Sequence, residues 1–196
     1  EGRKIAYKGE LTPYAGLVYD LNERYSLYAS YADIFLPQTA QFSVNGSELD
    51  PIVGSNYEIG LKGEFFNGAL NASVAAFRID QSNRAQETLN APCAGAPVTG
   101  WCYEAQGKVR SEGIETELSG KLTPDWDVFA GYTYNSTKYV KDLLNEGTSF
   151  RTQTPRHLFK VWTQYRLPID ERRWSIGGGI NAQSGYYALN GAVKSE

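Results

Sequence analysis

Asn56-Tyr57-Glu58-Ile59-Gly60-Leu61-Lys62-Gly63-Glu64-Phe65-Phe66 sets Tyr57, Ile59, Leu61, Gly63 and Phe65 against Glu58, Gly60, Lys62 and Glu64. Successive side chains of an extended chain point to opposite faces, so this is a β-strand with one apolar, aromatic face and one charged face. Asn67-Gly68 follows at once, and both residues tolerate the positive φ that a tight hairpin requires. The partner strand runs from Ala69 to Asp80 with Leu70, Ala72, Val74 and Ala76 on one face. Phe77 and Ile79 fall on the opposite set, so a β-bulge is expected near Ala75.

The same alternation recurs outward from this hairpin. It covers Ile114 to Leu122, Trp126 to Asn135, His157 to Leu167 and Trp174 to Gln183, and more weakly Pro13 to Asp20 and Tyr25 to Asp33. That makes about eight strands, mostly of about 8 to 12 residues. The connections alternate strictly. Those at residues 21–24, 67–68, 123–125 and 168–173 are short, whereas those at 34–55, 81–110 and 140–155 are long. A soluble sandwich has no reason to keep one end tight and the other elaborate. An outer-membrane barrel does, with short periplasmic turns, long extracellular loops and tilted strands of roughly 9 to 11 residues.

Composition agrees. Of 196 residues, 41% are hydrophobic and 13% aromatic, too many for a disordered chain. The longest apolar run, Val74-Ala75-Ala76-Phe77, excludes a membrane-spanning helix, which needs roughly 20 such residues. With 19 Lys+Arg against 22 Asp+Glu, the net charge of −3 carries no footprint for nucleic acid. A closed barrel pairs every backbone group internally with only alternate residues apolar, so one face can carry Glu58, Glu64, Glu115, Glu117 and Lys121. Tyr57, Phe65, Trp126, Tyr134 and Trp174 lie near strand ends, at the depth of the aromatic girdles of such a barrel. The fold class expected is all-β, a transmembrane antiparallel β-barrel or part of one.

Specific blocks carry a resemblance. Leu11-Thr12-Pro13-Tyr14-Ala15-Gly16-Leu17-Val18-Tyr19-Asp20 is followed by Tyr25-Ser26-Leu27-Tyr28-Ala29-Ser30-Tyr31-Ala32-Asp33-Ile34-Phe35 and by Leu36-Pro37-Gln38. Later come Asn56 to Glu64, Gly113-Ile114-Glu115-Thr116-Glu117-Leu118 and Thr154-Pro155-Arg156-His157. Together they resemble the barrel of TonB-dependent siderophore receptors, closest in flavour to the ferripyoverdine and hydroxamate-siderophore types. The resemblance spans nearly the whole chain, in the family's order. It implies a plugged barrel of roughly 22 strands, of which residues 1–196 would supply about eight, without the plug domain, the TonB box or the final strands. An excised piece of a receptor and a truncated gene product both fit. The implied function is TonB-coupled uptake of a ferric siderophore into a bacterium by a monomeric barrel set in outer-membrane lipid. TonB would act through the missing N-terminal part. The ferric chelate is the transported ligand, and no cofactor is implied.

A chelate pocket needs aromatic faces and a few polar donors. Trp101, Tyr103, Arg110 and Tyr139, which flank the long loops, are the candidate substrate-binding residues. Cys93 and Cys102 stand in one loop, without the further ligands that zinc requires, so a disulfide pinning the loop is expected. His157 is the sole histidine; it could serve a dyad, but its Thr-Pro-Arg-His setting points to a structural role, and no catalytic residue is assigned. Glu115 and Glu117 share a face, with charge from a plug or from cross-strand Lys and Arg to balance them. Gly177-Gly178-Gly179 lies within a strand, where glycine lets a neighbouring group approach or the sheet bend. The alternatives are a passive porin or small barrel closed by these eight strands alone, an outer-membrane enzyme and a soluble binding module.

Overall fold

The computed structural model describes residues 9–88, 102–151, 153–188 and 193–195, the side chains of 187–188 and 193–195 excepted. Its strands are β1 (Tyr14–Asp20), β2 (Tyr25–Leu36), β3 (Ile52–Phe65), β4 (Leu70–Glu87), β5 (Tyr103–Thr123), β6 (Trp126–Lys141), β7 (His157–Arg166) and β8 (Ser175–Gln183). They form one sheet in chain order, each strand antiparallel to the next. β9 (Tyr186–Ala188) and β10 (Val193–Ser195) pair separately. All eight strands expected from the alternation are present. Their outer ends are longer than expected, however: β4 has 18 residues, β5 21 and β6 16. The long connections are thus partly β-arms that continue beyond the membrane belt.

Register separates two chemistries. Leu17, Ala29, Ile59, Ala76, Ile114, Tyr134 and His157 lie in one cross-strand row, and Tyr19, Leu27, Leu61, Val74, Thr116, Tyr132 and Phe159 in the next row of that face. On the other face run Ser26, Lys62, Ser73, Glu117, Gly131 and Lys160. The apolar face is uncovered: Ile59 is 60% exposed, Ile176 63% and Ile180 66%. A sandwich would bury those side chains against a second sheet, whereas a barrel wall turns them to lipid.

Aromatic rings border this face at two levels. Tyr25 and Phe65 meet edge-on at 6.0 Å near the short turns, beside Trp126 opposite Tyr165. Tyr31 and Tyr57 lie 5.2 Å apart toward the other end, with Tyr134 and His157 at 5.1 Å. Tyr57 and Phe65 are 65 − 57 = 8 residues apart on β3. That is roughly 27 Å of strand, and roughly 20 Å of height once tilted.

The bulge is not near Ala75. Pairs between β3 and β4 run unbroken from Val53 with Ser82 to Phe65 with Leu70. Phe77 keeps the regular parity and faces the polar side, where Gly113 leaves it room: a Cβ there would sit 2.8 Å from the ring. The register instead breaks between Gln81 and Arg84, where Asn83 takes φ 61. Nor do the eight strands close on themselves. Among the described residues β1 pairs only with β2 and β8 only with β7, so both edges await neighbouring strands.

The triple glycine makes room for an indole. Trp162 lies across Gly177 and Gly179, and a Cβ at 179 would fall 2.6 Å from the Val161 carbonyl oxygen and 2.9 Å from Trp162 Cε3.

Candidate ligand-binding site at the outer rim

The extra residue in β4 moves Arg84 to the polar face. Gln81 pairs with Val109 and Arg84 with Gly107, so three steps on β4 match two on β5. Without that step Arg84 would share a face with Asp80. Bulges commonly re-aim a side chain at a barrel rim in this way. The freed backbone groups are met by Gln38, which is buried. Its Nε2 donates to the carbonyls of Asp50 and Asn83, each at 2.6 Å, and its Oε1 accepts from the Ala85 N–H at 2.8 Å. Asn83 Nδ2 adds a bond to the Pro51 carbonyl at 3.3 Å.

Beyond β6 the chain folds back on itself. Asp142 Oδ1 accepts from the N–H groups of Leu144 and Asn145 at 3.1 and 2.9 Å, shaping the turn. The Gly147 N–H donates to the Tyr139 carbonyl at 2.9 Å, and the Tyr139 N–H to the Thr148 carbonyl at 3.0 Å. This return sets Phe150 edge-on to Tyr139 at 5.3 Å. It also sets Phe150 under Arg84, whose Cζ lies 4.6 Å from the ring centroid.

The result is a cavity of about 620 Å³ lined by Arg84, Tyr139, Phe150, Arg151 and polar loop residues. A second, of about 390 Å³, is lined by Tyr103, Tyr139, Arg84 and Phe150. Both lie within the size range of small-molecule sites. Burial, and then the charge of Asp142, raises the Tyr139 phenol above its ordinary pKa, with Arg84 pulling the other way. Its hydroxyl therefore stays a donor at neutral pH.

Of the candidate residues, Tyr103 and Tyr139 line one cavity together. Arg110 lies on the opposite face, where its Nε holds Asp80 at 2.6 Å and Arg78 holds the other carboxylate oxygen at 2.7 Å. Trp101 and Cys93 lie outside the described residues. Cys102 is wholly buried and disulfide-bonded. Arg84, Phe150 and Gln38 were not among the candidates. The sign of Arg84 in the sequence is faint: Ser82-Asn83 before it supplies a residue that tolerates positive φ where a strand can slip. His157 sits on the lipid face, its Nδ1 2.9 Å from the Tyr132 hydroxyl.

The polar face lower on the wall is acidic. Tyr28 donates to Glu58 at 2.5 Å, Lys62 Nζ lies 4.9 Å from the Tyr28 ring centroid, and Thr133 reaches Glu115 at 3.5 Å. Among the described residues no cation pairs with Glu115 or Glu117, although Lys160 lines the same recess.

The family model for the TonB dependent receptor-like β-barrel matches residues 2–195. This chain belongs to the TonB-dependent receptor family. Its wall therefore stands in the outer membrane of a Gram-negative bacterium, and its closed-porin alternative is not favoured. The chain is 43% identical over 195 residues to the ferric-pyoverdine M114 receptor PbuA of Pseudomonas sp. (strain M114), covering 95% of this chain and 23% of that protein. The structure of the ferripyoverdine receptor of the Pseudomonas aeruginosa outer membrane bound to ferripyoverdine matches with TM-score 0.80 and 35% identity, over 97% of this chain and 25% of that one. The alcaligin outer-membrane receptor FauA of Bordetella pertussis matches with TM-score 0.75 and 42% identity, over 91% and 30%. The chain thus spans about a quarter of the length of these relatives. TonB-dependent receptors are receptors and transporters, and the lipid-facing belt, inner acidic face and elaborated outer rim found here suit that role.

Proposed function

We propose that the receptor containing this chain takes up a ferric siderophore across the outer membrane, powered through TonB. The observation that carries the reading is the convergence of Tyr103, Tyr139, Phe150 and Arg84 on adjoining cavities at the outer rim. A ferric chelate presents an organic ligand wrapped around a metal whose coordination is already filled, so its outside offers apolar and carbonyl-bearing surface. Such a ligand calls for aromatic faces and directed donors, and for no metal ligand from the protein. The printed names of the relatives, ferric-pyoverdine and alcaligin receptors, support the class. Ferric iron travels as cargo; uptake needs no resident cofactor and no nucleophile.

The inner face suits a plug. Glu115 and Glu117 share that side of β5, and two uncompensated carboxylates are best met by cations of a domain filling the lumen. Energy would reach that domain through an N-terminal segment that contacts TonB, and the barrel would act as a monomer.

The test is binding of iron-loaded pyoverdines and hydroxamates to the receptor containing this chain, in detergent, by quenching of tryptophan fluorescence. Saturable quenching by a ferric chelate, and none by its iron-free form, is expected. Silence toward the whole panel, with steady ion conductance in a planar bilayer, would sink the proposal and leave a passive porin.

A further inference from the structure

The outer cavity holds two cations and no anion. Arg84 and Arg151 address one aromatic ring, with Cζ 4.6 and 5.5 Å from the Phe150 centroid. Arg84 Nη1 donates to the neutral Gln81 amide at 3.0 Å. Among the described residues no carboxylate forms an ion pair with either guanidinium. Two acids, Glu87 and Asp142, line the adjoining cavity, and Asp142 is engaged by its own turn, accepting from Leu144 N, Asn145 N and Asn145 Nδ2.

Several features make this more than a coincidence of surface charge. Arg84 is brought inward by a bulge that a buried glutamine holds in place. Arg151 takes φ 52, an uncommon conformation for a side chain of its size, and this too occurs at the cavity wall. Burial, reinforced by the charge of Arg151, lowers the Arg84 guanidinium below its ordinary pKa. Arg84 is half-buried beside the exposed Arg151, and an anion shared by the two would relieve their repulsion. Contact with the ring uses none of the guanidinium N–H donors, and those that Gln81 does not take suit a carboxylate or another oxyanion.

We propose that Arg84 and Arg151, clamped on Phe150, form an anion subsite that selects ferric chelates bearing a free carboxylate over neutral chelates of the same size. The subsite rests on the uptake reading and gives its ligand a charge. Tyr139, which lines the same cavity, presents the aromatic wall and hydroxyl against which the chelate lies.

Two matched pairs of probes test this on the receptor containing this chain. One is a ferric pyoverdine with a succinate side chain and the same chelate as its succinamide. The other is N-succinyl and N-propionyl ferrioxamine B. For whichever core binds, the carboxylate form is expected to bind wild type about tenfold tighter, the scale of one charged hydrogen bond. Arg84→Gln and Arg151→Gln should each erase that preference, read as the ratio of the two affinities within one variant, while Arg110→Ala, on the opposite face, should keep it and reports an intact rim. Equal binding of both forms to wild type overturns the subsite while leaving uptake standing. So does a preference that survives in either glutamine variant, as it would if another part of the receptor neutralised the pair. Absence of binding by either core overturns the uptake reading and the subsite with it.

Discussion

Gln38 holds Asn83: its Nε2 meets the Asn83 carbonyl at 2.6 Å while its Oε1 takes the Ala85 N–H at 2.8 Å, bracketing Arg84. A side chain on the β2–β3 connection thereby fixes the direction of a cation on β4. The bulge leaves main-chain groups that the β5 ladder cannot satisfy, and an amide side chain of this length both donates and accepts there. In Gln38→Leu those groups lose their partner at about 1 to 3 kcal/mol for each one stranded. Hydrogen exchange at the Ala85 amide should accelerate at least about tenfold, while amides low on β4 keep their protection. An unchanged Ala85 rate would show that the bulge stands without Gln38.

The two faces of the wall should answer differently to charge. Leu61 lies midway between Tyr57 and Phe65 on the lipid side. Leu61→Arg should cost about 2 to 4 kcal/mol, the scale for a cation at the midplane of a barrel's lipid face. Lys62→Leu, one residue along and on the other face, should refold into lipid vesicles nearly as well as wild type. Denaturant titrations of refolded receptor measure both, and an equal loss would contradict the assignment of faces.

Gly179 is predicted to be intolerant of a side chain. Gly179→Val would drive a branched carbon into the Val161 carbonyl and the Trp162 ring, whose nearest atoms lie 2.6 and 2.9 Å from the Cβ position. Overpacking of this kind costs about 1 to 3 kcal/mol. The folded fraction on a heat-modifiability gel should fall. Gly178→Val, where a Cβ meets nothing within 4 Å, should not lower it.

The aromatic cavity wall and the Arg110–Asp80 ion pair at the rim separate by function. Tyr139→Ala removes a wall of the cavity and should weaken chelate binding at least about tenfold, since a lost aromatic anchor is worth more than a kcal/mol. Arg110→Ala breaks a partly exposed pair with Asp80, worth about 0 to 1 kcal/mol of stability, and should leave affinity unchanged. Fluorescence titration of both variants decides, and a stronger effect at Arg110 would move the site to the other face.

The bond at Cys102 is open to a direct check. Cys93 is the only other cysteine in the chain. Mass spectrometry should find neither thiol alkylated before reduction and both afterwards. Cys93→Ser should expose Cys102 to alkylation and loosen the loop by about 2 to 3 kcal/mol on the chain-entropy account. A Cys102 still protected in that variant when alkylated in denaturant, where burial no longer shields it, would exclude the pairing.

Alternation, the hairpin at Asn67-Gly68 and the contrast of short and long connections make eight strands and their order legible in the sequence, because the period-2 pattern is local and the turns need particular residues. Tyr103 and Tyr139 are legible as candidates by residue type and by their place beside long loops. Arg84 is not. Its face depends on a slip of register that alternation alone would place near Ala75, where the apolar set changes sides. The sheet instead absorbs Phe77 beside Gly113 and slips at Asn83, where Gln38 from a distant connection can satisfy the exposed backbone. Arg110 shows the converse. Its type and position suit a ligand site, yet strand parity turns it to the outer face and into the hands of Asp80.

By itself, then, the sequence determines what each strand shows to lipid and to the lumen, and at which end the chain turns tightly, since these follow from residue type and the geometry of an extended backbone. Only the tertiary structure decides how far the strands run past the membrane, where register breaks, and which cations and rings meet at the rim. Those outcomes depend on hydrogen bonds and contacts between segments far apart in the chain, such as Gln38 with Asn83 and Arg84 with Phe150.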